Sequence, residues 1–498
     1  MTSLLANLAR ARTRTSLSLP FLAPSSRLFN ARSYSTDMPT PLTQRNLAEA
    51  IQRGEINTVV VGFVDTYGRM MGKRYEPDYF LKSAFESGSK VCNYLLTTNI
   101  DLEPIPGFKV ANWEMGYGDF TLELDHSSVR RVGSDAVILG NLKRHVRGEG
   151  NLAVPEDPRT LLSQQTARLA EMGYGAMAAS ELEHYVFKSS FEEAKGVGYR
   201  NADLKRAGWY PEDYHLFQSH RTEDFNKAVR EGLKRANIPV ETTKGETGIG
   251  QHEINISYSD ALDMADQHTL FKTIVKQTAE DMGVSVTFMA KPFCDPDAGS
   301  SCHIHLSLVH KDSGKNAFTG SESFEGIMST PTFRHFLGGW MKATKELMPF
   351  YAPTINSYKR FVKGSWAPTA IVWGDDNRTT GFRVVGEGQG LRIECRIPGA
   401  DVNPYLAFSA AIASGIHGIE QKIEPPAIFQ GNAYIATDVE RVPTTLREAA
   451  SLFSASELAK DFFGESVRDH FAHHFHSECD AFDAFVTDWE RQKYFEQI

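Results

Sequence analysis

The fold of this chain is decided by residues 245–256, which read GETGIGQHEINI. Three glycines within six residues permit a turn with positive φ angles. Glu246 and Glu253 stand on either side of this turn. The alternation of apolar and polar residues that follows predicts a β-strand, with Glu253 at its entrance. Two carboxylates held by a bent backbone suit a hard divalent cation. An exposed glycine-rich turn is the alternative interpretation of the stretch taken alone.

Three further segments alternate in the same way, and in a strand residues i and i+2 point to the same face. The segments are 181–187 (ELEHYVF), 302–308 (CHIHLSL) and 392–397 (RIECRI). Each would present an apolar face and a polar face. A solvated sheet face would also alternate, but it usually mixes Ser, Thr, Lys and Gln. Here the polar positions are mostly Glu, His and Arg.

If these segments converge, five carboxylates crowd together, namely Glu181, Glu183, Glu246, Glu253 and Glu394. Each uncompensated buried charge costs roughly several kcal/mol, so cations must compensate them. Five carboxylates and one histidine supply enough ligands for two hard metal ions with open coordination positions.

Length and composition limit the possible function classes. The chain has 498 residues and 41% hydrophobic content, enough for a large core and two domains. A formal charge of −9 argues against nucleic acid as the main partner. Five scattered cysteines without a C-x-x-C pair fit a reducing interior. The sequence has no apolar run of about 18 residues, so no membrane span is predicted.

Residues 1–36 are rich in Arg and Ser and carry no acid, which is typical of a mitochondrial transit peptide. The segment Ala31–Ser35, ARSYS, resembles a processing site. A disordered basic tail is the alternative. Initiation at Met38 would instead give a cytoplasmic form.

The remaining chain is predicted to form an α+β protein. Residues 41–143 read as a small β-rich domain with a hairpin over 58–75, and residues 144–156 as a polar linker. A larger domain follows over 150–498, with helices at 158–172 and 260–282 and a helical end after Leu446. Residues 190–225 are expected to be a long irregular insertion rich in aromatics.

Four histidines lie in the predicted C-terminal helices, at positions 470, 473, 474 and 476. Their spacing could suit a metal, but no acid frames them tightly. A surface helix is therefore the preferred interpretation.

Taken in order, the motifs resemble the glutamine synthetase family over residues 41 to 498. The specific pieces are ELE at 181, GQHE at 250, FMAKP at 288, HIH at 303, NSYKR at 356, NR at 377, RIECRIP at 392 and DVNPYLAF at 401. The resemblance implies a small β-grasp amino-terminal domain and a large α/β catalytic domain with an antiparallel sheet. It also implies a homo-oligomeric ring assembly, similar to a dodecamer, with sites at subunit interfaces.

The resemblance implies ATP and two or three Mg²⁺ or Mn²⁺ ions, with glutamate and an amine as substrates. Glu183, Glu246 and Glu253 match ligands of one metal, and Glu181, His303 and Glu394 those of the other. The positions matching nucleotide contacts are Glu241, His305, Ser307 and Arg392. Those matching glutamate contacts are Arg360, Arg396 and Gly299. Arg378 and Arg383 match residues that meet the transferring phosphoryl group.

Departures from the family pattern concern the amine. Where glutamine synthetases have a Glu before the Ala-Pro pair, this chain has Trp366, and their Asp-Gly-Ser-Ser segment is replaced by 92–96, CNYLL. A tryptophan offers an apolar face and a cation–π partner worth about 0.5–2 kcal/mol. Together with Ala298, Ser301 and Cys302, this resembles the γ-glutamylpolyamine synthetase branch. The acceptor is therefore expected to be a polyamine or another primary amine, with Glu246 the nearest candidate for a general base.

Three alternatives remain at this point. A glutamine synthetase proper would use ammonia. A guanidino kinase shares the catalytic fold but has no need of the RIECR strand. A non-catalytic relative should have lost ligand positions, and all six are intact here.

Overall fold

The computed structural model describes residues 41–200, 203–294, 298–362 and 365–498. The leader predicted over residues 1–36 lies outside these ranges, as does Met38. Within them, none of the helices combines the length and the apolar character that crossing a bilayer would require.

The amino-terminal part is built around a mixed sheet. Its elements are α1 (Gln44–Gln52), β1 (Thr58–Val64), β2 (Met70–Tyr75), α2 (Pro77–Tyr79), α3 (Phe85–Ser87), β3 (Ser89–Cys92), β4 (Asp119–Leu124), β5 (Arg130–Val132), β6 (Asp135–Val146) and β7 (Gly150–Ala153).

The strand order of this sheet is β2-β1-β6-β4-β3, with β5 and β7 also paired to β6. The predicted hairpin is confirmed, since β1 and β2 pair antiparallel from Val59↔Tyr75 to Val64↔Met70. β1 pairs parallel with β6. The prediction of a linker over residues 144–156 is wrong for most of that range. β6 continues to Val146 because β7 supplies an antiparallel partner.

The larger part carries the second sheet and most helices. Its elements are α4 (Pro158–Glu171), β8 (Tyr174–Phe187), α5 (Phe191–Gly196), α6 (Leu216–Ser219), α7 (Glu223–Arg235), β9 (Val240–Gly245), β10 (Gln251–Ile256), β11 (Ser259–Asp260), α8 (Ala261–Asp281), β12 (Ser285–Thr287), β13 (Cys302–His310), β14 (Thr319–Phe324), β15 (Ile327–Ser329), α9 (Pro331–Thr344), α10 (Ile355–Tyr358), β16 (Trp373–Asp375), β17 (Phe382–Val385), β18 (Arg392–Cys395), α11 (Pro404–Gln421), α12 (Leu446–Ser454), α13 (Glu457–Phe463), α14 (Glu465–Asp483) and α15 (Asp488–Tyr494).

The second sheet has the order β16-β17-β18-β13-β8-β10-β9, with β11 and β12 on β8. It was expected to be antiparallel and is mixed, because β16 and β17 run parallel. The loop of residues 376–381 carries the chain back alongside β16, so both strands start at the same end. The remaining pairs among the described strands of this sheet are antiparallel.

Capping side chains start the long helices where the sequence predicted them. The Asp157 side chain accepts from Thr160 N at 3.3 Å, with Pro158 in the first turn. Asp260 caps α8 through Leu262 N at 3.1 Å. Both helices pack against β8 on its apolar face. The insertion expected to be irregular is only partly so, because α5 and α6 form within it and α7 begins at Glu223.

The C-terminal histidines do not lie on an exposed surface helix, so that expectation is wrong. His470 and His474 of α14 are buried. Their rings lie 4.7 Å from Phe108 and 5.0 Å from Tyr67, measured between centroids. His473 Nε2 is 2.7 Å from the carbonyl oxygen of Pro106. The amino-terminal part therefore covers this face of α14, a long-range contact that local spacing cannot reveal.

Helices α9 and α11 approach so closely that glycine is required at the crossing. A Cβ on Gly418 would lie 2.0 Å from the His335 carbonyl oxygen. We expect Gly418→Ala to lower the free energy of unfolding by about 1–3 kcal/mol, although alanine is the better helix former. Gly196→Ala, in α5 with open space around it, is the control. Chemical denaturation compares the two variants, and equal stabilities would contradict the tight crossing.

Candidate active site

The polar residues singled out in the sequence form one stripe across the second sheet. Cross-strand partners are Glu253 with Glu183, Glu181 with His303, and His305 with Glu394. The opposite face of the same strands is apolar and almost fully buried, as at Leu182, Ile254, Ile304, Leu306 and Ile393. Strand alternation therefore brings residues that are far apart in sequence onto one face, as the sequence predicted.

Glu183, Glu246 and Glu253, here called the carboxylate triad, lie at one end of the stripe. Each offers an oxygen, and these atoms all lie within 4.8 Å of one another. Glu183 accepts from the backbone N–H of Ser301 at 2.8 Å and from Gln251 Nε2 at 3.0 Å. The glycine-rich turn, with Gly250 at a φ of 78°, brings Glu246 back beside the strand.

The electrostatics of the carboxylate triad favour a bound cation. Burial, reinforced by the charges of Glu183, Glu181 and Glu246, raises the pKa of Glu253 to about 9. Burial and the Glu246 charge raise the pKa of Glu183 to about 7. These three acids cannot all ionise cheaply unless positive charge is supplied.

Glu181, His305 and Glu394, here called the histidine group, lie at the other end. Their ligand atoms also fall within 4.8 Å of one another. His303 Nδ1 lies 3.1 Å from Glu181 and 3.5 Å from Glu394. Both imidazoles therefore reach this group, whereas the resemblance assigned only His303 to the metal and His305 to the nucleotide.

The imidazole of His303 is suited to metal binding. Burial and the nearby Arg396 lower the pKa of His303 to about 4, despite the opposing effect of Glu181 and Glu394. The ring is therefore neutral near pH 7 and carries a free lone pair. Its buried Nε2 has no hydrogen-bond partner. Oxygen-rich donors with a neutral imidazole fit Mg²⁺ or Mn²⁺.

Two arginines hold Glu394 ionised. Arg396 Nη1 lies 2.5 Å from Glu394 Oε1, and Arg383 Nη1 lies 2.9 Å from Oε2. Burial by itself would raise the pKa of Glu394, but the neighbouring basic side chains of His303, Arg396 and His305 lower it to about 2. Arg383 also contacts Asp376.

The other predicted arginines differ in their environments. Arg360 is buried and donates to the carbonyl oxygens of Ile397 at 2.8 Å and Arg396 at 3.3 Å. Arg392 donates to His305 Nδ1 at 3.3 Å. Arg378 is exposed in the turn after β16. Arg360 thus stabilises the backbone just after β18, where Arg396 lies.

A cavity of about 400 Å³ opens beside the histidine group. Its lining includes the four residues that the resemblance assigned to the nucleotide, Glu241, His305, Ser307 and Arg392. Asn255, Tyr258, Asn316 and Gln389 line it as well and were not predicted. Asn255 has a sequence signal in retrospect, because it lies at i+2 from Glu253.

Gly299 lies beside the carboxylate triad, where its carbonyl oxygen accepts from Gln251 Nε2 at 2.9 Å. A Cβ at this position would lie 2.7 Å from an Arg360 side-chain carbon. Ser301 contacts Glu183 through its hydroxyl as well as its backbone. The sequence analysis identified Ser301 as a departure from the family pattern. It did not predict the contact with Glu183, which depends on the register between β8 and β13.

The residues that the sequence analysis linked to the amine differ in exposure. Trp366 has 57% of its surface exposed and a positive φ of 62°, while the following Ala367 is buried. Residues 92–96 run from the end of β3 into a short turn, in which Leu96 is buried and Tyr94 half-buried.

Comparison with known proteins gives consistent matches. The family model described as "Glutamine synthetase, catalytic domain" matches residues 155–494. Gamma-glutamylethanolamide synthetase GlnA4 of Streptomyces coelicolor is 43% identical over 465 residues, covering 93% of this chain and 97% of that protein. Glutamate–isopropylamine ligase of a Pseudomonas species is 34% identical, covering 90% and 97%. A solved structure described as a GmaS/ADP complex has a TM-score of 0.77 and 26% identity, covering 90% and 99%.

The raised pKa of Glu253 makes metal binding pH-dependent. Since the folded-state pKa of about 9 lies above the ordinary 4.5, the stability that the protonated group contributes is lost as pH rises through that interval. We expect the metal-free protein to melt lower at pH 9 than at pH 6.5. Mg²⁺ affinity should rise by about tenfold per pH unit, because binding displaces the proton.

Calorimetric Mg²⁺ titrations and thermal melts at several pH values check this dependence. Glu253→Gln should reduce the pH dependence of the Mg²⁺ affinity. Glu241→Gln, on the exposed cavity rim, should leave that dependence unchanged. A wild-type Mg²⁺ affinity that is independent of pH would contradict the assignment.

Proposed function

The chain belongs to the glutamine synthetase family, and from this premise we propose that it is an ATP-dependent γ-glutamyl ligase acting on a primary amine. An oxygen of the glutamate γ-carboxylate attacks the γ-phosphorus of ATP, the bond to the β-phosphate oxygen breaks, and ADP leaves. The amine nitrogen then attacks the carbonyl carbon of γ-glutamyl phosphate. It loses a proton as phosphate departs, which leaves a γ-glutamyl amide.

The observation that carries this proposal is the stripe formed by the carboxylate triad and the histidine group beside a cavity. Phosphoryl transfer depends mainly on positioning and charge neutralisation. The two groups would hold two or three Mg²⁺ or Mn²⁺ ions, which supply charge to the phosphates when bound. Glu241, Ser307 and Arg392 lie on the cavity side, where the nucleotide would bind.

The arginines complete the anion-binding surface. Arg396 and Arg360, with the Gly299 backbone, would receive glutamate. Arg378 and Arg383 would meet the transferring phosphoryl group, since guanidinium forks match carboxylate and phosphate oxygens. Arg383 already bridges Glu394 and Asp376, so its orientation is set before substrates bind.

The acceptor is proposed to be a primary amine larger than ammonia. Trp366 supports this choice, because an exposed indole offers an organic ammonium an apolar and cation–π surface. The names of the two relatives, an ethanolamide synthetase and an isopropylamine ligase, fit a small amine with a carbon stem. A polyamine is the further candidate from the sequence, and Glu246 is the proposed general base.

The larger organisation follows the same family. We propose a β-grasp fold for residues 41–143, which the mixed sheet with its central β1/β6 parallel pair supports. Residues 150–498 would form the catalytic domain. A homo-oligomeric ring with shared active sites and import into mitochondria complete the proposal.

Phosphate release from ATP and glutamate tests the function directly. The acceptor panel contains ethanolamine, isopropylamine, putrescine, spermidine, ammonium and a blank without amine. We expect turnover with at least one organic amine at a kcat/KM above that for ammonium. Turnover with ammonium alone would establish a glutamine synthetase proper instead. A protein that binds Mg²⁺ but turns over none of the amines would be a non-catalytic relative.

Removing the indole tests the acceptor site. We expect Trp366→Ala to raise the KM for the preferred organic amine by about 2- to 30-fold, the equivalent of a lost cation–π contact. The KM for glutamate should stay unchanged. Trp366→Phe keeps an aromatic face and serves as the matched control. A KM for the amine that is unchanged in Trp366→Ala would place the acceptor elsewhere.

A further inference from the structure

A lysine side chain points into the carboxylate triad. Lys244 lies on β9 directly opposite Glu253 of β10. Its ammonium contacts the Glu246 carboxylate and lies 3.3 Å from the carbonyl oxygen of Gly245. The side chain is only 19% exposed. A permanent cation thus sits where a divalent ion would have to approach Glu246.

A second set of contacts for the same ammonium lies close by. Lys244 Nζ is 4.3 Å from the centroid of the Tyr214 ring and 3.9 Å from Asp213 Oδ1. The segment carrying these residues is tied to the glycine-rich turn, because Asp213 N donates to the Glu246 carbonyl oxygen at 2.9 Å. From the same position, the Lys244 ammonium therefore already lies near groups other than the Glu246 carboxylate.

Charge counting shows what the lysine does to the site. Three carboxylates and one ammonium leave two negative charges, which one divalent ion neutralises. Glu246 cannot give its full charge to both cations at once, since like charges a few ångströms apart repel strongly in a partly buried site. A divalent ion bound by the carboxylate triad therefore competes with the ammonium for Glu246.

We propose that Lys244 is a positioning residue, a built-in cation that pairs with Glu246 when no divalent ion is bound and stays held by Tyr214 and Asp213 when a divalent ion takes over Glu246. The inference rests on the cation site of the proposed function. The Lys244–Glu246 pair weakens the binding of a divalent ion, and its positive charge offsets the repulsion among the three carboxylates when no ion is bound.

Metal linkage measured without turnover tests this role. Mn²⁺ binding is followed by electron paramagnetic resonance, and melting by calorimetry, for the wild type and Lys244→Met. We expect the metal-free variant to melt about 1–2 °C lower, while the Mn²⁺-saturated proteins melt together. The Mn²⁺ dissociation constant should fall by about tenfold.

Two matched controls separate this effect from loss of any lysine. Lys244→Arg keeps the charge and should behave as the wild type. Lys143→Met removes a lysine that pairs with Glu123 at 3.2 Å, far from the site on the amino-terminal sheet, and should leave Mn²⁺ affinity unchanged. Equal melting losses with and without Mn²⁺ would reduce Lys244 to an ordinary structural ion pair and overturn the proposal.

The contact between Lys244 and Tyr214 predicts a change of Mn²⁺ affinity in the opposite direction. Tyr214→Leu removes the ring and should weaken Mn²⁺ binding by about 2- to 5-fold, whereas Tyr214→Phe should not. If the Lys244→Met effect persisted in a Glu246→Gln background, the lysine would not act through Glu246 and the inference would be wrong.

Failure of the ligase proposal is distinguishable from failure of this one. A protein inactive with every amine but showing the Mn²⁺ linkage would keep the role of Lys244. If the protein is an active ligase but Lys244→Met leaves its Mn²⁺ affinity unchanged, the proposed role of Lys244 is wrong.

Discussion

Carboxylates that face one another across neighbouring strands are the constraint on which this structure depends. Glu183 and Glu253 are directly paired between β8 and β10, and both are almost entirely buried. Such an arrangement is stable only where protons, basic side chains or metal ions balance the charge. Different groups balance the carboxylate charge at the two ends of the stripe. Arginines and histidines surround Glu394, whereas Lys244 contacts the carboxylate triad at Glu246.

The two ends of the stripe therefore differ in the electrostatic environment of their carboxylates. Near Glu394, Arg383 and Arg396 contact the carboxylate directly and favour its ionised form. Near Glu253, burial and neighbouring carboxylates raise the pKa, and Lys244 is the base that contacts Glu246. α4 and α8 pack against β8, on the apolar face opposite the stripe.

Much of the fold could be predicted because its signals are local. The N-caps Asp157 and Asp260, the hairpin of β1 and β2 and the alternation in residues 181–187 are all readable from short windows. What failed depends on contacts between distant segments. The burial of His470 and His474 comes from Phe108 and Tyr67, and the parallel β16/β17 pair comes from the path of residues 376–381. Neither is encoded in spacing.

The sequence by itself determined which residue types would share a face, since strand alternation is a property of the backbone. It also determined the family, because many motifs occur in one order. Tertiary structure decided the register, and with it which acids meet. Register placed His305 beside Glu394, Ser301 against Glu183 and Lys244 opposite Glu253. The physical reason is that pairing between strands is settled by packing of the whole sheet, and no single segment carries that information.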